Sequence, residues 1–410
     1  MEKSKGGILE KFGGGVCAFC GSDALADVID FGDVAVAGAF LTKEEIPNEN
    51  KYPRKGVFCK NCYAVQVRDH IEPAALFEKD FYFSSAIKTL VDHFSDYAAE
   101  VVGRFIADPK KATTLEFGSN VGVLLKPVAD QGVGTVIGVE PAKNIIQTIK
   151  DDRLTLINNF FNPSLAKQVI DKHGKVDLVM ANNTFAHISD INGTTKAVEM
   201  VLKDDGVFSF EVHYLGKIIE ELQYDFIYHE HIYYYSLLAL ENHMARHGMV
   251  IFDIKPIPIH GGSIRFYAAK KNSKHAKNIS QAVKDLHNRE KELGYDKEEM
   301  YKQFADSVAS KKDELMTLLA KLKKEGKRVV GYGASGRANT IIQYCGITSE
   351  HIDYMIDDAP AKLGMYTPGS HLEIKDSGVL KTDKPDYILV FAWAFYNEIA
   401  KKNQQYLKEG

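Results

Sequence analysis

The chain has 410 residues, of which 45% are hydrophobic and 26% charged, and its formal net charge is −4. That length exceeds one ordinary hydrophobic core, so two or three globular domains are expected. The slightly negative balance excludes a mainly electrostatic nucleic-acid binder, which needs clustered Lys and Arg.

The N-terminus, MEKSKGGILEKFGGG, lacks the apolar run of a secretory signal. The longest apolar stretch, residues 387–396, is roughly half of what a bilayer span needs and reads as a buried strand. A cytoplasmic protein with reduced thiols and no membrane contact is therefore expected. Four of the five cysteines form two CxxC pairs, Cys17/Cys20 and Cys59/Cys62. In a reducing compartment two such knuckles point to a four-thiolate structural zinc site, since Zn²⁺ takes tetrahedral soft ligands. A redox dithiol would need one CxxC on a thioredoxin-like βα unit, and none is legible. Cys345, within NTIIQYCG, reads as a buried helix residue.

The zinc lobe is expected to occupy residues 1–72, and residues 73–106 read helical. Strand-like TTLEF, TVIGVE, LTLINN, VDLVMAN and VFSFEV then alternate with amphipathic segments up to residue 253. That rhythm predicts an α/β domain with a mostly parallel sheet. In LEFGSNVGVLL a strand runs into a tight turn from Gly118 to Gly122 and a helix start. The spacing is ExGxxxG, not the GxGxxG of a pyrophosphate cradle. The next strand, VIGVE, ends in Glu140, placed to accept hydrogen bonds from ribose hydroxyls. A glycine loop followed by an acidic strand end is the S-adenosylmethionine pattern of a class I methyltransferase, with a dehydrogenase-type Rossmann domain as the alternative for this segment.

Residues 224–235, YDFIYHEHIYYY, hold five of the chain's twenty tyrosines together with His229, Glu230 and His231. So many groups that hold or move protons in one short segment suit general acid–base chemistry better than packing alone. A third region, residues 254–410, opens with IPIHGGSIRFYAAK, read as two strands around a Gly-Gly turn. Charge-rich amphipathic helix follows to about residue 327, its charges facing water. A second α/β unit comes next, with RVVGYG, IDYMIDD and DYILVFAW as strands. Its GYGASG loop fits GxGxxG, with Asp357 about twenty residues on, so a NAD site is a legitimate reading of this unit alone.

Taken together, CxxC…CxxC, FYFSS (81–85), LEFGSNVG, GVEPA (138–142), ANNTFAHI (181–188), YHEHIYYYS (228–236), IHGGSIRF (259–266), GYGASGRANT (331–340) and YTPGSH (366–371) stand in collinear order over nearly the whole chain. In this the chain resembles the S-adenosylmethionine-dependent sugar C-methyltransferases of deoxysugar biosynthesis, which act on TDP-4-keto hexoses. The resemblance implies a zinc lobe, a Rossmann-like class I methyltransferase domain and a C-terminal α/β domain that binds the nucleotide sugar. It places the cofactor at Glu116, Gly118, Asn120, Gly122, Glu140, Pro141 and Asn183. It makes His231 the general base, with Tyr228 and Glu230 positioning substrate or base, and Tyr82 and His187 at the sugar. Gly333, Ser335, Arg337 and Asn339, with His260, are expected at the nucleotide sugar. His229, alternating with its neighbours in an extended segment, would face away as structure.

Two residues depart from the family pattern. Val121 stands where Asp is usual, and Arg337 where Lys is common. The reaction implied is methylation of a carbon beside a ketone, most simply C-3 of a TDP-4-keto-deoxyhexose, through a base-generated enolate. C-5 methylation, a NAD-dependent sugar oxidoreductase and a non-catalytic zinc scaffold are the alternatives. A monomer is expected.

Overall fold

The computed structural model describes residues 9–10, 15–71, 88–259 and 261–408. Tyr82 and His260, both expected at the substrate, lie outside the described residues.

The N-terminal lobe is an antiparallel meander of Leu25–Ala35, Lys51–Cys59 and Val65–Val67. Its fourth strand comes from far along the chain. Tyr233–Tyr234 pairs antiparallel with Gln66 and Val65, so the tyrosine-rich segment is sewn into the zinc lobe. Phe58, Val65, Val67, Tyr233 and Tyr235 are buried in one continuous core with the central domain.

Seven strands make the central sheet. In spatial order they are Met249–Ile257, Ser263–Lys270, Leu202–His213, Val176–Asn182, Thr113–Phe117, Thr135–Val139 and Leu154–Ile157. The five strands first in chain order pair parallel, and Ser263–Lys270 runs antiparallel to both of its neighbours. Numbered along the chain and read from the opposite edge, the order is 3-2-1-4-5-7-6 with strand 7 antiparallel, the class I methyltransferase arrangement. The expected βα strands are all present. They read as near-continuous apolar runs because both sheet faces are covered. Along Val176–Asn182, Val179 and Ala181 face one core while Leu178 and Met180 face the other.

The expected hairpin around Gly261-Gly262 belongs to this sheet, through hydrogen bonds to Leu202–His213. The domain boundary drawn at 253/254 thus falls inside the strand Met249–Ile257, and the sheet continues to Lys270. Two helices follow, Gln281–Leu293 and Glu298–Lys324, the second burying Tyr301, Phe304, Val308, Leu319 and Leu322. The C-terminal unit is a four-stranded parallel sheet in the order Ile374–Lys375, Met355–Ile356, Val329–Tyr332, Tyr387–Val390. Cys345 ends the helix Gly336–Cys345 and is buried, as its surroundings in sequence suggested. Among the described residues no helix is long and apolar enough to cross a membrane.

Candidate active site

The four CxxC sulfurs lie within 4.8 Å of one another. Cys17 and Cys62 are 3.6 Å apart, as are Cys20 and Cys59. Zn–S bonds of about 2.3 Å in a tetrahedron require S···S edges of roughly 3.8 Å, so the thiols are already spaced for the ion. Each knuckle is closed by a turn, with Gly21 N–H donating to the Cys17 carbonyl and Tyr63 N–H to that of Cys59, both at 2.8 Å. A hydrogen bond from Cys17 pulls the Cys59 thiol down to about 2, while the bond to Cys59 pushes Cys17 up to about 12. Zinc binds cysteine as thiolate, so loading the site releases thiol protons and its affinity depends on pH. These residues form the zinc site, and four thiolates leave no open position for chemistry.

At the carboxyl edge of the central sheet three loops converge. Gly118, Asn120 and Gly122 all have positive φ (65°, 47° and 73°), so the turn after Thr113–Phe117 is tightly wound. A Cβ on Gly118 would fall 2.2 Å from Thr184 Oγ1, so only glycine lets the two loops close together. Glu140 is buried, its Oε2 accepting the Asn120 N–H at 2.8 Å and its Oε1 the Ala142 N–H at 2.9 Å. Asn158 Nδ2 clamps the same turn through the carbonyls of Glu140 (2.8 Å) and Pro141 (2.9 Å). Asn183 also has positive φ (52°), its N–H donating to the Glu211 carbonyl at 2.9 Å. Glu116 is the polar floor. Its Oε1 accepts from Asn182 Nδ2 at 3.2 Å, and its Oε2 is buried with no hydrogen-bond partner among the described residues. Burial, assisted by the charge of Glu140, pushes the Glu116 carboxyl up to about 8. A cradle closed to any Cβ and an orphaned buried oxygen fit a polar ligand such as S-adenosylmethionine. Val121, the departure from the family pattern, packs on Ala142 and Ile145 instead of offering a polar contact.

Beside this crevice residues 224–235 fold as a turn of 3₁₀ helix, a tight bend and the short strand already described. His231 Nδ1 lies 3.2 Å from the carbonyl of Phe226 and Nε2 lies 3.1 Å from the Tyr228 hydroxyl. A carbonyl oxygen can only accept, so Nδ1 carries the proton and Nε2 is the basic nitrogen, receiving the Tyr228 O–H. Burial, with His187, His213 and Arg54 close by, holds the His231 imidazole well below its ordinary value, hence neutral. His187 packs edge-on, ring centroids 4.8 Å apart, its Nδ1 donating to the Glu230 carbonyl at 2.5 Å. His229 does face away, against Tyr52, but because the chain bends at 228–230 rather than through strand alternation. The expectation of an extended segment there is thus corrected. Two groups were missed in the sequence: His213, stacked on Phe226 at 3.6 Å, and Arg54 of the zinc lobe.

In the C-terminal loop Gly333 has φ 93°, and a Cβ there would lie 2.4 Å from that of Ala392. The side chains expected to hold substrate are engaged elsewhere. Ser335 Oγ caps the helix Gly336–Cys345 through the Ala338 N–H at 3.2 Å. Asn339 is buried and donates to the Ala37 carbonyl of the zinc lobe at 2.7 Å. Arg337 places Nε 2.8 Å and Nη2 2.7 Å from Asp225 Oδ2 and lies over the rings of Phe226 and Trp393. It bridges the C-terminal unit to the histidine segment, a partner that no local pattern around GYGASG announces. Asp357, the acid of the NAD reading, faces Lys362 Nζ at 3.3 Å, which also donates to the Ala334 carbonyl at 2.6 Å.

Three family models match the chain in series: a zinc binding domain over residues 17–77, a methyltransferase domain over 91–253 and a C-methyltransferase C-terminal domain over 258–410. The chain is 31% identical to the C-methyltransferase NovU of Streptomyces niveus over 398 residues, 96% of this chain and 93% of that protein. Among solved structures it is similar to the CcbJ methyltransferase of Streptomyces caelestis (13% identity, TM-score 0.36, 47% of this chain and 100% of that one). It is also similar to the magnesium protoporphyrin IX methyltransferase of Synechocystis with bound S-adenosylmethionine (14% identity, TM-score 0.33, 47% and 86%).

Proposed function

Since the chain belongs to the S-adenosylmethionine-dependent C-methyltransferase family, we propose that its substrate is a nucleotide-linked 4-keto-deoxyhexose, TDP-linked and methylated at C-3. S-adenosylmethionine, when bound, supplies the electrophilic methyl group. Glu140, at the end of its strand, then accepts from the ribose hydroxyls, and Glu116 and Asn183 line the floor and wall. The glycine turn admits the ligand close to the backbone.

A sugar carbon becomes nucleophilic only when the proton beside its ketone is removed. The observation that carries the reading is the fixed tautomer of His231. Its Nε2 carries no proton and accepts the Tyr228 O–H, so a sugar that displaces this hydrogen bond meets both a base for the C-3 proton and a released hydroxyl that can donate to the charge developing at O-4. His187, an imidazole away, is suited to orient the sugar, and Tyr82 is carried over from the family resemblance alone. The diphosphate is placed at the C-terminal glycine loop, where the helix Gly336–Cys345 begins. With Ser335, Arg337 and Asn339 engaged inside the protein, those side chains shape the site rather than touch the nucleotide.

His231→Asn tests this. The variant should bind both ligands, and its turnover should fall roughly 10²–10⁴-fold, the usual worth of a positioned base. Solvent deuterium wash-in at C-3 without cofactor should fall in parallel. Near-normal turnover in His231→Asn, with both turnover and exchange lost in His187→Asn, would move the base to His187. Wash-in at C-5 alone would favour the C-5 alternative.

A further inference from the structure

The zinc lobe does more than fold. Arg54, on its strand Lys51–Cys59, is only 2% exposed, which is costly for a guanidinium unless it organises something. Its Nε donates to the Ile227 carbonyl at 3.1 Å and its Nη2 to the Tyr234 hydroxyl at 3.0 Å. Tyr234 in turn donates to the His231 carbonyl at 2.8 Å. One guanidinium therefore brackets the chain on both sides of the proposed base, at 227 and, through Tyr234, at 231. Gly38 of the lobe also comes up against Glu230, where a Cβ would stand 3.0 Å from Oε1. The third nitrogen, Nη1, is buried without a hydrogen-bond partner among the described residues, so the pairing with this segment is not one of mutual saturation.

We infer that Arg54 is a positioning residue of the zinc lobe, holding residues 227–234 so that His231 keeps its Nδ1–H on the Phe226 carbonyl and presents Nε2 to the substrate. The inference rests on the proposed role of His231. The groups that face His231 are the Tyr228 hydroxyl, His187, His213 and Arg54, with Arg337 behind Phe226 and the Glu230 carbonyl behind His187. Among the described residues only Arg54 comes from the zinc lobe. Loss of its two bonds frees the bend at 228–230, and a misplacement of about 1 Å at a reacting group costs on the order of 10²-fold in rate.

The test uses the full-length zinc-loaded protein with Arg54→Gln and Arg54→Lys. In Arg54→Gln, kcat with a TDP-4-keto-deoxyhexose should fall at least about tenfold, with S-adenosylmethionine affinity within about twofold of wild type. Nitrogen-15 NMR of the ligand-free protein should show His231, identified by its absence in His231→Asn, change from the Nδ1–H form to a mixture of tautomers. Arg54→Lys, able to reach one acceptor but not both, should recover part of kcat and part of the tautomer signal. An unchanged tautomer overturns the inference whatever kcat does. So does a loss of cofactor affinity and zinc in step with kcat, which would make Arg54 a folding residue. If no 4-keto sugar is turned over, the proposed substrate fails while the NMR arm still decides the role of Arg54.

Discussion

Replacing Glu140 with alanine removes the group on which the cofactor assignment rests. Its two oxygens each accept one backbone N–H, from Asn120 and Ala142. The same carboxylate is the proposed acceptor of the ribose hydroxyls. Hydrogen bonds to a charged group are worth about 1.5–3 kcal/mol, which is roughly a 10- to 150-fold loss of S-adenosylmethionine affinity. The change should also loosen the turn itself, because Asn120, at φ 47°, loses the acceptor that rewards its left-handed backbone. Calorimetric titration of the folded variant with S-adenosylmethionine measures the loss. The same titration with nucleotide sugar should give the wild-type affinity, since the glycine loop of the C-terminal unit is untouched. Unchanged cofactor affinity would mean that the ribose is held elsewhere, and the reading of the 118–122 and 140–142 loops as one cradle would have to be abandoned.

Three further outcomes are expected. Cys59→Ser should lower the thermal midpoint and zinc content far more than the turnover of the molecules that stay folded, because bound metal contributes folding free energy; full stability with no metal bound would refute the zinc site. Because His231 is held below the ordinary histidine value of 6.5 and a base works in its neutral form, the proposed role requires activity to persist below pH 6.5 and to disappear only as pH falls through the lowered pKa; a kcat/KM profile losing activity at 6.5 or above would contradict this. Asp225→Asn removes the counter-charge of a buried pair held by Arg337 and Trp393, so denaturant melts should show a loss near the lower end of about 3–5 kcal/mol, Arg337 being partly exposed. An unaltered melt would instead leave Arg337 available to the diphosphate.

The local signals were legible because they are local. Two CxxC knuckles need only their own turns, and the glycine turn at 118–122 with an acid at 140 needs only adjacent parallel strands. Apolar runs from TTLEF to VFSFEV follow from burial of both faces of a parallel sheet. From these the zinc lobe, the class I domain and the cofactor edge could all be read, and the histidine-rich segment could be singled out by composition. What tertiary structure decided is where separate modules meet. Arg54 and Tyr234, 180 positions apart, are joined by strand pairing that no periodicity encodes. Arg337 reads as a phosphate ligand in GYGASGR, yet its partner is Asp225, 112 positions earlier. Asn339 reads the same way and belongs to Ala37. A side chain's type declares what it can bond, but burial between lobes determines which partner it meets, because a buried charge or amide must be satisfied by whatever the packing brings within reach. The proposed base, His231, draws on both levels. The imidazole is written in the sequence, and the bend that brings its Nδ1 to the Phe226 carbonyl is seen only in the folded chain, where Arg54 of the zinc lobe and Arg337 of the C-terminal unit pack around the segment.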